Sequence, residues 1–110
     1  QTIRTIYDRA TAEDPSALYG VDNLTVSACG DVLVAEDAGQ MRIVAVLPNG
    51  ELAPLVQIEG QDKSEITGPA FDPSGTRLYF SSQRATGLLG GITYEITGPF
   101  HEPLPDDEAC

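Results

Sequence analysis

The sequence predicts an all-β fold, and three observations support that prediction. Short segments rich in Val, Ile, Leu, Thr, Tyr and Phe alternate with turn signals, which is typical of antiparallel strands. No stretch of about 11 residues keeps apolar side chains at helical spacing without an interrupting Gly or Pro. Part of the pattern also recurs along the chain, so the strands are expected to form repeated units.

Eight short strands are predicted between the turns. They are residues 3–7, 23–27, 32–35, 42–47, 52–58, 69–71, 77–82 and 91–96. Three connections have explicit turn chemistry, and each is expected to place its Gly at positive φ. They are Ala28-Cys29-Gly30-Asp31, Pro48-Asn49-Gly50-Glu51 and Asp72-Pro73-Ser74-Gly75. Residues 14–18 are expected to make one short turn.

An internal repeat relates the two halves of the chain. Residues 25–34 superpose on residues 70–79 at a constant offset of 45. A second match, of residues 3–6 to residues 52–55, has an offset of 49. Periods of ~40 to 50 residues built from four strands are typical of β-propeller blades.

The repeat therefore predicts a β-propeller segment over residues 1–100. Residues 3–7 are expected to be the outer strand of a preceding blade, followed by one four-stranded antiparallel blade and three strands of another. Because a propeller needs at least about four blades, this segment of about two is incomplete. Its expected partners are the remaining blades of the same protein or other copies of the chain. Residues 101–110 are expected to form an extended acidic tail.

The charge of the chain excludes some partners. Seventeen acidic and six basic residues give a formal charge of -11, which repels nucleic acid and anionic membrane surfaces. The two cysteines, Cys29 and Cys110, allow one disulfide, and the sequence leaves its formation open. With His101 as the only histidine, a zinc site of the Cys/His type is not expected.

Polar residues at the starts of the inner strands are the candidate metal ligands. By analogy with propellers, whose inner strands line a central channel, Asp22, Asn23 and Glu65 are expected at the channel mouth. Carboxylate and amide oxygens are hard ligands that suit Ca²⁺. The alternatives are an Asx-turn at Asp22 and Asn23 and an exposed loop acid at Glu65.

Three further polar residues have weaker functional interpretations. Arg84 could hold an anion such as phosphate through its planar guanidinium, and the alternative is an ordinary loop arginine. Glu36 and Asp37 could add oxygens around a metal site, although a solvated loop is the favoured interpretation for both.

An ordered succession of short motifs carries a family resemblance. They are residues 22–27, the pair Glu36-Asp37, residues 64–69 and residues 91–95. With these motifs the chain resembles the C-terminal part of the PhoX-type alkaline phosphatases and their uncharacterised relatives, over most of residues 3–100. It departs from that pattern at Val21, where Pro is usual, and at Gln83-Arg84, where His-Pro is usual.

The resemblance implies a secreted or periplasmic bacterial propeller. Its channel would hold Ca²⁺ and Fe³⁺, which bind and activate phosphate monoesters. Glu65 would then correspond to a metal-ligating glutamate, and Asp22 would be a ligand at the channel entrance. The iron-ligating cysteine of the family lies in an N-terminal region that has no counterpart in these residues.

Three functional hypotheses follow. The first is the C-terminal portion of a PhoX-like calcium- and iron-dependent phosphomonoesterase. The second is a non-catalytic secreted propeller that binds a cation, a glycan or a protein partner. The third is a sugar-lactone hydrolase on a similar propeller.

Overall fold

The chain folds into two antiparallel β-sheets. The computed structural model describes residues 1–37, 39–87 and 90–100. Its seven strands are β1 (Val21–Val26), β2 (Val32–Glu36), β3 (Arg42–Val46), β4 (Leu52–Gln57), β5 (Ile66–Phe71), β6 (Arg77–Ser82) and β7 (Ile92–Thr97). The sheets have the strand orders β1-β2-β3-β4 and β5-β6-β7. The all-β prediction is confirmed.

Within the described ranges no element is a helix long and apolar enough to cross a bilayer.

The strand prediction is wrong for residues 3–7, which form no strand. A strand needs backbone partners along a sheet edge, and this segment has none within the described part of the chain. Ile3 is fully exposed, whereas the Tyr7 hydroxyl donates a hydrogen bond to the Leu18 carbonyl at 3.0 Å. The match of residues 3–6 to residues 52–55 therefore has no structural counterpart. The strand predicted at 69–71 begins earlier, at Ile66.

The three predicted turns share one hydrogen-bonding pattern. In each, a Gly at positive φ donates its N–H to the carbonyl three residues before it. The pairs are Gly30 (φ 88°) with Ser27 at 2.9 Å, Gly50 (φ 85°) with Leu47 at 2.8 Å and Gly75 (φ 73°) with Asp72 at 2.9 Å. Gly30 and Gly75 are 45 residues apart, so the first repeat match is also a match of local structure.

The two sheets share one hydrophobic core. One face of the first sheet packs on the inner face of the second. The buried residues of this shared core are Leu33, Ala35, Met41, Ile43, Ile66, Leu78 and Phe80. The two sheets therefore stabilise each other, since burying apolar surface contributes roughly 25 cal/mol per Å².

The two outer faces differ in polarity. The outer face of the first sheet is apolar and packs on the N-terminal segment. Its cluster consists of Leu18, Val34, Val44 and Val46, with Tyr7, Val32 and Leu52 beside them. The outer face of the second sheet carries an Arg77–Glu95 ion pair at 3.0 Å and a Ser81–Thr93 hydroxyl pair at 2.9 Å. Because successive side chains of a strand point to opposite faces of its sheet, the residues that point away from the shared core form these two different outer surfaces.

Candidate metal centre

Three carboxylates converge where the two sheets meet. One oxygen each from Asp22, Asp37 and Glu65 lies within 4.8 Å of the other two. Asp22 is on β1, Asp37 directly follows β2, and Glu65 directly precedes β5. We call these three residues the acidic cluster. Since β1 and β5 are in contact, the cluster lies at the junction of the sheets.

Backbone pairing positions the acidic cluster. Asp37 and Glu65 form an isolated antiparallel bridge between the two sheets. The register of β1 on β2 shifts between Val21 and Asn23, so Asp22 is the extra residue of a bulge, a feature that re-aims side chains. The isolated bridge and the bulge therefore bring the three carboxylates together.

Gly20 permits a close approach to Asp37. The Asp37 N–H donates to the Gly20 carbonyl at 2.9 Å. Gly20 has a φ of 62°, and a Cβ there would lie 3.0 Å from the Asp37 carbonyl oxygen. A side chain at this position would clash and would also be strained, so the glycine helps hold Asp37 in the cluster.

The structure brings together two of the three predicted ligands. Asp22 and Glu65 are both in the acidic cluster. Asn23 is half-buried next to Asp22 and pairs with Ala35 across the β1–β2 ladder. Asp37 joins them, although the sequence favoured a solvated loop there. Its position directly after a buried strand was the signal that could have identified it.

Glu36 is buried, which corrects the solvated-loop interpretation. Its carboxylate is only 1% exposed and pairs with Arg42 at 2.7 Å. The Glu36 oxygens also accept from the Arg42 Nε at 2.9 Å and from the Tyr19 N–H at 3.0 Å. The hydrogen bonds that Arg42 donates to the Glu36 carboxylate are the main cause of its raised pKa. These contacts satisfy the Glu36 carboxylate, so it serves structure rather than a metal.

Arg84 lies beside the acidic cluster. Its Nη1 is 3.9 Å from Glu65 Oε1, the outer limit for an ion pair. The Arg84 N–H donates to Ser64 Oγ at 2.9 Å, and Ser64 is buried against Ser82 Oγ at 2.9 Å. Arg84, the predicted anion-binding residue, therefore lies next to the predicted metal ligands.

The donor atoms of the acidic cluster suit a hard cation. Three carboxylates this close repel one another, and a bound cation would relieve that repulsion. No family model, curated protein or solved structure matches this chain. The fit of a hard cation to the acidic cluster therefore rests on the chemistry of the donor atoms. Because Ca²⁺ takes ~6 to 8 oxygens, backbone carbonyls, water or further protein groups would have to complete its shell.

Among the described residues, the site contains no thiolate or imidazole ligand. Cys29 is disulfide-bonded and so offers no thiolate. Cys110, His101 and the predicted acidic tail lie outside the described residues. The acidic cluster is thus an all-oxygen donor set.

Proposed function

We propose that this chain is the C-terminal portion of a PhoX-like phosphomonoesterase that depends on Ca²⁺ and Fe³⁺. Its role would be to contribute Asp22 and Glu65 to a metal site in a propeller channel. The observation that supports this proposal is the convergence of these two residues, together with Asp37, to within 4.8 Å. They come from distant parts of the sequence, as ligands contributed by separate blades would.

The propeller architecture is part of the same proposal. Its support is that β1 and β5, the first strands of the two sheets, are in contact, as neighbouring inner strands around a channel would be. The remaining blades of the same protein, or other copies of the chain, would complete the ring. A secreted or periplasmic location belongs to this proposal as well.

The chain's own residues would have separate roles. Asp22, Asp37 and Glu65 would hold the cation. The side chain of Asn23, which follows Asp22, would offer it a further oxygen. A bound cation would neutralise the phosphoryl oxygens of a phosphate monoester. Arg84, 3.9 Å from Glu65, would hold the phosphate through its planar guanidinium.

Hydrolysis of p-nitrophenyl phosphate by the full-length protein tests the proposal. With Ca²⁺ and Fe³⁺ we expect turnover that falls at least about a hundredfold in Glu65→Gln, as when a group that stabilises the transition state is lost. Glu51→Gln is the matched control, since Glu51 is an exposed turn residue. Failure of the wild-type protein to turn over the ester with any added metal would refute the phosphatase.

Cation binding without turnover is the second candidate. It is favoured by the all-oxygen donor set of the acidic cluster. A ligand that binds only the folded state stabilises it, by about 2.7 kcal/mol at 100 times its Kd. We therefore expect Ca²⁺ to raise the melting temperature of the wild-type chain but not of Asp37→Asn. An equal rise in both proteins would contradict binding at this cluster.

A further inference from the structure

The second sheet has one strand fewer than the first and ends on an open edge. β7 pairs with β6 on one side, and no described residue pairs with its other side, which we call the free edge. We propose that residues 2–6 of a second copy of this chain bind there as a fourth antiparallel strand. We call these residues the donor segment. The inference goes beyond the proposed function, because it requires neither a metal nor turnover.

The β6–β7 register identifies the backbone groups on the free edge. Residues of an antiparallel strand direct their N–H and C=O groups alternately to one neighbouring strand and to the other. The Gly98 N–H donates to the Thr76 carbonyl at 2.9 Å, in the register of the β6–β7 ladder. Every second residue counted back from Gly98 therefore faces β6, and Thr93, Glu95 and Thr97 face the free edge. All three are exposed, so their N–H and C=O groups are available to a further strand.

The outer edge of the first sheet is protected against such pairing, and the free edge of β7 is not. On β4, the Leu47 N–H donates to the Glu51 carbonyl at 2.8 Å, and Pro54 follows in the same register, so position 54 faces away from β3. Proline at such a position removes the donor that an added strand would need. β7 contains no proline, and its one charged side chain, Glu95, is already paired with Arg77 at 3.0 Å.

The donor segment has the sequence of a strand at the fourth position of a sheet. Residues 3–6 match residues 52–55 at an offset of 49, and residues 52–55 begin β4, the fourth strand of the first sheet. Residues 1–6 are all exposed and make no hydrogen bond or ion pair with any described residue. Among the described strands, β7 is the one that leaves a fourth position open.

The donor segment is separated from β7 of its own chain by the first sheet. Tyr7 packs on the outer face of that sheet, beside Val34 and Val44, whereas the second sheet packs on the opposite face. A second copy can offer the segment without this obstacle. Charge is also complementary, because Arg4 is the only charged side chain of the donor segment and Glu95 the only one of β7. Each copy has one donor segment and one free edge, so the association is head-to-tail.

The chain that follows β7 turns away from the free edge. The Phe100 ring packs edge-on against Phe71, with centroids 5.1 Å apart, and lies against the core that the two sheets share. Residues 101–110 are the rival occupant of the edge. Their two prolines and four acidic residues suit a strand poorly, so the donor segment is the better match.

Sedimentation equilibrium and NMR hydrogen exchange of the 110-residue chain test the inference. Copies with a formal charge of -11 repel one another, so the measurements use about 1 M NaCl, where the Debye length is about 3 Å. We expect the mass to rise above that of the monomer as protein concentration increases. Over the same range the amides of Thr93, Glu95 and Thr97 should become protected. The amides of Tyr94 and Ile96, which face β6, should change little.

Three results would refute the inference. The first is a monomer at every concentration. The second is association that leaves the amides of Thr93, Glu95 and Thr97 unprotected. The third is protection of these amides that does not depend on concentration, because a segment of the same chain would then occupy the free edge.

Proline variants locate the two partners. Glu95→Pro removes an N–H from the free edge without removing a β6–β7 hydrogen bond, so association should weaken at least about tenfold. Glu95→Gln, which keeps the N–H, is its matched control.

A variant of the donor segment keeps the inference testable if Glu95→Pro fails to fold. Thr5 and Ile6 are exposed, and one of two neighbouring residues faces β7 in any register. The double variant Thr5→Pro/Ile6→Pro should therefore keep the monomer fold and weaken association at least about tenfold. Thr5→Ser/Ile6→Val is the control and should associate like the wild type. Association as tight as that of the wild type in the double proline variant would overturn the inference.

Discussion

Glu36 and Arg42 form the most buried ion pair among the described residues. Their side chains are 1% and 11% exposed, and Arg42 also donates to the Ala17 carbonyl at 3.0 Å. The pair therefore links β2 and β3 to the turn at residues 14–18. A glutamate is rarely fully buried unless it is paired, and the local sequence pattern does not identify Arg42 as the partner of Glu36.

Glu36→Gln is expected to destabilise the chain strongly. It would leave the Arg42 charge buried without its counter-ion, which typically costs about 3–5 kcal/mol. Urea unfolding followed by circular dichroism measures the change. Glu95→Gln is the control, because Glu95 is 43% exposed in its pair with Arg77 and such pairs contribute about 0–1 kcal/mol. Similar losses of unfolding free energy in both variants would show that the buried Glu36–Arg42 pair stabilises the chain no more than the exposed Arg77–Glu95 pair does.

Asp72 should make stability depend on pH. The Ser74 hydroxyl donates to its carboxylate and is the main cause of its lowered pKa. A carboxyl with a lowered folded-state pKa contributes stability above its unfolded pKa of about 3.9. That stability is lost as the pH falls through the folded-state value. We expect the free energy of unfolding to decrease below about pH 4, and to decrease less in Asp72→Asn. An unchanged pH profile in the variant would contradict this.

The turns determine how each hairpin is built. Three of them repeat the same Gly-terminated pattern, and the sequence identified all three because turn chemistry is local. Residues 3–7, by contrast, are predicted as a strand from their composition and form none. It has the composition of a strand, but a strand forms only where a neighbouring edge supplies hydrogen bonds.

Gly75→Ala is expected to destabilise the β5–β6 hairpin. Gly75 has a φ of 73°, and an added Cβ would lie 3.1 Å from Ala28 Cβ. The expected cost is about 1–2 kcal/mol in thermal or urea unfolding, from the left-handed backbone and the crowding. Gly87→Ala is the control, since it has no such φ and open space around it. If Gly75→Ala proved as stable as the wild type, the turn would not need its glycine.

At the scale of the whole molecule, the two sheets depend on one core. Phe80 of the second sheet is 1% exposed and belongs to the cluster that contains Leu33 and Ile43 of the first sheet. The sheets are therefore expected to unfold together, in a single transition.

Phe80→Ala tests this cooperativity. It should cost about 3–5 kcal/mol, from lost burial and the cavity left behind. Hydrogen exchange should then accelerate by similar factors in β3 and in β6, because opening either sheet exposes the shared core. Acceleration confined to β6 would show that the sheets are independent units.

The sequence by itself determined the strand class, the three turns and six of the seven strand positions to within two residues. It also determined the offset of 45 that relates the first hairpin of one sheet to the first hairpin of the other. These features depend on propensities and turn chemistry that act over a few residues. It also placed Asp22 and Glu65 in one site. Only the tertiary structure decided that Asp37 joins them and that Glu36 is buried with Arg42. It also decided that residues 3–7 form no strand. Each of these outcomes depends on which distant segment supplies a hydrogen bond, a counter-charge or a packing surface, and no local pattern specifies that partner.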